Sequence, residues 1–288
     1  MEKRMNLRSM EEKTDDSVST QPFFSDLRHG LHQAVVRHGR PLKWGVFLFP
    51  LLFFLLMAVL KFNWYSLYYA VFIKEDGLTE NATAIFYFVS CLVSFRICMC
   101  FYKENCKILF FPYLVLAAFF FFVGMEEISW GQRLFGMETP EILEKYNVQN
   151  EMNLHNLIFF PIHWLTIIAG LYGGLARRLL PKSIRSDHRA IVNYFTPDDY
   201  LIFYFLIVAV LFLYIYPVSQ MIVPVLGDSF AVGLESGVDY LITTKDQEPA
   251  EFLLSMGFFL FVLVNRFRQK WDRDGIFWTM DKAFRSRS

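Results

Sequence analysis

Apolar runs alternate with polar connections along most of this chain. The runs cover about 44–62, 82–102, 108–125, 157–176, 201–224 and 251–265. A helix needs roughly 20 mostly apolar residues to cross a hydrocarbon core. Six runs meet or approach that length, so the pattern predicts an all-α polytopic membrane helix bundle of about six spans. The third and sixth are short, which places their polar ends close to the membrane interface. Residues 1–43 are polar and charged, with no apolar core of their own, so no cleavable signal peptide is expected there. The expected organisation is a tail over 1–43, a membrane domain over 44–266 and a basic tail over 267–288.

The connections carry their own signals. Residues 26–43 place Leu27, Leu31 and Val35 at helical spacing among Arg28, His29, His32 and Arg37, which suits a basic amphipathic helix on a membrane surface. Residues 63–73 are aromatic and apolar and are expected to lie in the interface or re-enter it. Thr139-Pro140-Glu141 reads as the start of a short helix ending near Asn147. Gly170, Gly173 and Gly174 permit close helix packing in the fourth span.

Composition agrees with a membrane class: 55% of residues are hydrophobic and 33 are phenylalanine. The net charge of zero hides an asymmetry. With both termini cytoplasmic, 23 of the 28 Lys and Arg residues fall inside, whereas acidic residues divide 13 inside and 15 outside. The positive-inside rule therefore favours an N-in, C-in topology. Cys91, Cys98, Cys100 and Cys106 are too few for a disulfide framework and are expected to be buried or lipid-facing. Juxtamembrane acylation of Cys98, Cys100 or Cys106 is the sharper alternative. Asn81-Ala82-Thr83 is a glycosylation sequon that abuts the membrane and is expected to be unused.

The richest connection is 124–156, GMEEISWGQRLFGMETPEILEKYNVQNEMNLHN. Ionisable groups at membrane depth are costly and usually mark function. Glu126, Glu127 and His155 are the candidate catalytic residues. Trp130, Gln132, Arg133, Asn153, Asn156, Asp76, Glu80 and Glu151 are candidates for holding substrate. Glu235, Asp239, Glu248 and Glu251 add further carboxylates at the outer ends of spans. Three chemistries use such a set. A divalent metal held by Glu126, Glu127 and His155 would activate water, although no tight histidine spacing supports it. A buried carboxyl beside His155 would serve metal-free acid–base catalysis. Paired carboxylates would relay protons or cations in a carrier. Adjacent Glu126 and Glu127 point about 100° apart on a helix, so one faces the site while the other pairs elsewhere unless the helix ends there.

EDGLTE (75–80), EEISWGQRLFGMETPE (126–141) and QNEMNLHN (149–156) resemble a family of multi-pass membrane proteins that shares these three motifs. The resemblance covers about a tenth of the chain and implies a multi-pass membrane fold but no activity. The leading expectation is an outward-facing polar site on an enzyme for a lipid or lipid-linked substrate, with membrane lipids as partners and no nucleic acid. A proton- or cation-coupled transporter and a non-catalytic assembly subunit are the alternatives, and the oligomeric state stays open.

Overall fold

A computed structural model describes residues 39–74, 77–140, 152–154, 162–187, 189–215 and 246–271. The chain divides into two compact units, Met1–Trp44 and Gly45–Ser288. Every regular element among the described residues is helical. Among the described residues, five stretches are long and apolar enough to cross a membrane: Leu42–Asn63, Tyr65–Lys103, Lys107–Glu127, Ile191–Leu213 and Gln247–Gln269. The amphipathic segment expected before residue 39, the short helix expected at 141–147 and the tail beyond 271 lie outside the described residues.

Helix α1 (Gly39–Asn63) ends at Trp64, whose backbone leaves the helical region. The chain turns back there: α2 (Tyr65–Tyr68) runs straight on into a π-helical turn (Tyr69–Ile73), and the two make the returning limb of a helical hairpin with α1, Tyr68 beside Lys61 and Phe72 beside Phe53. Helices α3 (Leu78–Lys103) and α4 (Lys107–Glu127) form an antiparallel pair. Cys106 lies in the tight turn between them, where burial pushes its thiol above the ordinary range. A 3-10 turn (Ser129–Gly131) and α5 (Gln132–Phe135) open the long connection. Beyond it come α6 (Ile162–Leu179), α7 (Lys182–Asp187), α8 (Arg189–Phe195), α9 (Ile202–Leu213) and α10 (Gln247–Trp271). Helix α6 answers to the fourth apolar run, but its beginning borders residues that are not described, and it is not among the five.

The packing order across the bundle is α4, α3, α10, α9, α6. Apolar side chains fill the seams: Tyr87, Phe120, Phe205, Val208, Leu253 and Val262 form one buried cluster, with Phe258 wedged between Phe120 and Phe205. From Gly45 onward α1 packs on this group mainly by aromatic contact, Phe49 on Tyr204 and Phe53 on Phe252. The glycines of α6 act as the sequence pattern suggests. A Cβ on Gly173 would lie 2.2 Å from the Phe205 ring, and one on Gly170 would lie 2.8 Å from the Phe205 carbonyl oxygen. Only glycine lets α6 and α9 approach this closely. The outward faces are apolar, with Leu52, Leu55, Phe111 and Val115 exposed, as helices in contact with lipid require.

The bundle has two chemically different ends. The starts of α3 and α10 and the finish of α4 share one end, which carries glutamates. The finishes of α3, α6 and α10 share the other, which carries arginines. At this basic end, Asp198 accepts from Arg177 at 2.9 Å and also from Arg268. Arg268 reaches the Asn193 carbonyl and Asn265 Oδ1, and Asn265 Nδ2 donates to the Tyr113 hydroxyl at 2.9 Å. Gln269 Nε2 donates to the Ile97 carbonyl at 3.1 Å. A buried polar network with its groups satisfied rigidifies a bundle, and this one ties α3, α4, α6, α8 and α10 together. Cys98 and Cys106 are buried, so neither is open to acylation in this fold; Cys100 is half-buried with Arg266 Nη1 3.5 Å from its sulfur. The sequon is folded into the first turns of α3: Thr83 is buried and donates to the Thr79 carbonyl, and Asn81 Nδ2 donates to Gly77.

Candidate functional site

Helix α4 ends on Glu126-Glu127, and the two side chains part company. Glu126 turns toward the connection that follows and is buried, 6% exposed. Its Oε1 accepts from Trp130 Nε1 at 2.5 Å, and its Oε2 accepts from the Leu154 amide at 2.6 Å. A carboxylate that accepts N–H donors on both oxygens forms strong charge-assisted bonds. The chain reaches Trp130 through an unusual reversal. Ser129, Trp130 and Gly131 have φ of +46°, +55° and +78°, three successive residues in the left-handed region. Non-glycine residues adopt that conformation at a cost, so surrounding bonds must hold it.

Those bonds come from the two motifs of the connection. Asn153 Nδ2 donates to Ser129 Oγ at 3.2 Å. Gln132 Oε1 accepts from the Met152 amide at 2.6 Å, and Gln132 Nε2 donates to Thr139 Oγ1 at 2.6 Å. The segments EEISWGQ and MNL are therefore stitched together through Glu126, Ser129 and Gln132. The Trp130 ring packs edge-on against Phe122, 5.7 Å between centroids, and Phe122 belongs to the partly exposed apolar surface of α4. The motif tryptophan thus sits at the border between the folded connection and the apolar flank.

Glu127 points into the bundle. Its carboxylate lies within electrostatic reach of Glu80 at the start of α3 and Glu248 at the start of α10. Glu251, one helical turn further along α10, feels Glu127, Glu248 and Glu80. The Tyr87 side chain, 4% exposed, lies beneath them, within reach of both Glu127 and Glu251, with its ring 6.1 Å from that of Phe120. Positions 80 and 87 fall on one face of α3, as do 120 and 127 on α4, because seven residues make two turns. Carboxylates from three helices therefore meet above an aromatic floor.

Of the residues singled out from the sequence, Glu126, Trp130, Gln132 and Asn153 build the stitched connection, and Glu80 and Glu127 join the carboxylate cluster. Arg133 lies in α5, with its side chain outside the description. Asp76, Glu151, His155 and Asn156 lie outside the described residues. Among the described residues no three His, Cys, Asp or Glu are arranged to hold a metal ion. Each oxygen of Glu126 accepts one N–H donor, which fixes the orientation of this carboxylate.

Glu248 and Glu251 read in the sequence as carboxylates at the outer end of a span with no assigned role, and Tyr87 is not singled out. The pair at i and i+3 opening an apolar helix was the available signal for the glutamates; Tyr87 inside an apolar run carried none. A second polar group at this end also escaped notice. Asp246 accepts from Lys61 Nζ at 2.6 Å and from the Tyr68 hydroxyl, with Lys61 Nζ 5.6 Å from the Tyr68 ring centroid. The Lys61 and Asp246 side chains are only 9% and 7% exposed.

Between the two ends the seams are apolar, and the hydroxyls found there largely turn back on their own helix: Ser90 donates to the Phe86 carbonyl and Ser255 to that of Phe252. The glutamate cluster is thus a site at one end of the bundle. Comparisons of the chain with protein-family models, with curated proteins and with solved structures found no match.

Proposed function

We propose that the protein is a multi-pass membrane enzyme that performs acid–base chemistry on a lipid or lipid-linked substrate at its glutamate-bearing end. The observation that carries this reading is the convergence of Glu80, Glu127, Glu248 and Glu251 from three helices above Tyr87. Such a set supplies a proton donor and a proton acceptor side by side, which is what general acid–base catalysis needs. Glu127 and Glu251 are the reacting pair in this reading. Glu126 is a positioning residue that holds Trp130 and the connection in place.

A lipid substrate is favoured by the apolar flank of α4 close to the glutamates, where Trp130 rests on Phe122 at the border of the folded connection. The basic residues around the far end support a reading in which that end is cytoplasmic and the glutamates lie outside, with six spans and both termini inside. A carrier needs polar groups along its path, and the apolar seams between the two ends weigh against one.

Purified protein in nanodiscs, incubated with a mixed membrane-lipid extract and followed by mass spectrometry of the lipids, tests the reading. Wild type should convert one lipid class, and folded Glu251→Gln should not. An unchanged lipid profile with wild type would remove the enzyme reading and leave a carrier or an assembly subunit.

A further inference from the structure

The returning limb of the hairpin, residues 65–73, is built differently on its two sides. Tyr68, Phe72 and Ile73 are buried, whereas Trp64, Tyr65, Leu67 and Tyr69 are between 43% and 58% exposed. It is bounded by two non-helical joints. Trp64 has φ −140° and ψ 63°, and Lys74 turns to an extended ψ of 124°. Gly77 completes the second joint: a Cβ there would lie 2.3 Å from the Lys74 carbonyl oxygen, so the chain can pass only as glycine. The second half of the limb is π-helical, a form that recurs at functional sites.

The limb is bonded to both helix starts that carry the cluster. Thr79 Oγ1, next to Glu80 on α3, donates to the Val71 carbonyl at 2.7 Å. Tyr68 donates to Asp246, two residues before Glu248 on α10, and Lys61 from the end of α1 pairs with the same carboxylate. Phe72 packs edge-on against Phe53, 5.5 Å between centroids. A segment with two backbone joints, one wetted or lipid-facing side and polar ties at its tips is the construction of a hinged lid.

We propose that residues 65–73 form a lid over the glutamate cluster, and that Asp246, with Tyr68 and Lys61 bound to it, is its latch. Opening exposes the starts of α3 and α10 and gives entry to Glu80, Glu248 and Glu251 from the side. What enters rests on the lipid-enzyme reading; the movement itself does not. The exposed aromatic side stays in the membrane interface, where tryptophan and tyrosine are favoured, as the lid swings.

Cysteine accessibility in nanodiscs tests the lid with a hydrophilic maleimide. Ala84→Cys is the reporter: Ala84 is buried, one turn deeper than Glu80 on the same face of α3. Its labelling is read above that of the parent chain. Tyr68→Phe removes one hydrogen bond to a charged acceptor and should speed labelling about tenfold, with elution still monodisperse. Val71→Cys with Thr79→Cys, oxidised to a disulfide, should slow the reporter relative to the same protein reduced. Equal rates for the oxidised and reduced forms, or an unchanged rate in folded Tyr68→Phe, would overturn the lid. Should Tyr68→Phe not fold, the oxidised and reduced comparison decides alone. An opening lid on a protein that converts no lipid would leave the lid standing and remove the enzyme reading. Lipid conversion together with equal reporter rates in the oxidised and reduced forms would do the reverse.

Discussion

Two adjacent glutamates at the end of α4 have opposite duties, and single substitutions separate them. Glu126 accepts from Trp130 and Leu154 while buried. Glu126→Gln presents an N–H group where an acceptor is needed, and thermal unfolding should show a loss of about 2 kcal/mol. An unchanged unfolding profile would mean that Glu126 does not hold the connection. Gly131, at φ +78°, is the second sensitive point. An added Cβ would be strained and would lie 3.0 Å from the Phe135 ring, so Gly131→Ala should cost about 1 kcal/mol. The sequence made both glutamates candidates and left open which one faced the site. Their division could not be read from it, because it depends on Leu154, 28 residues along the chain, returning its amide to Glu126.

Helices are held in register by contacts of two kinds, close glycine packing and buried ion pairs. Gly173 admits the Phe205 ring, and Gly173→Val should force α6 from α9 with a loss of about 2 kcal/mol, seen as lower folded yield and earlier unfolding. Asp198 answers two arginines at the basic end; Asp198→Asn leaves both without their counter-charge and should cost about 3 kcal/mol in the same measurement. The apolar runs announced most of the long helices, because continuous hydrophobicity needs no tertiary context to be seen. Their ends were harder to read. The last run is apolar only over 251–265, yet α10 extends over Gln247–Trp271, since Asn265 and Gln269 towards its end find partners inside the bundle. The Lys61–Asp246 pair was invisible for a related reason. It joins residues 185 positions apart, and each alone looks like an ordinary charge near an interface.

At the scale of the molecule, the proposal amounts to a division of labour between ends. The arginine network anchors one end, the apolar seams close the middle, and the glutamates with their hairpin form the working end. The orientation has its own test in sealed vesicles of known sidedness. Lys74→Cys at the acidic end should react with an impermeant reagent applied outside, and Arg178→Cys at the basic end should not; the reverse pattern would invert the assignment. The most direct test of the central claim is lipid conversion measured beside thermal unfolding for Glu126→Gln and Glu127→Gln. If the cluster is the working centre, Glu127→Gln loses conversion while unfolding as wild type does, and Glu126→Gln is the variant that loses stability. Full conversion by folded Glu127→Gln would contradict the account.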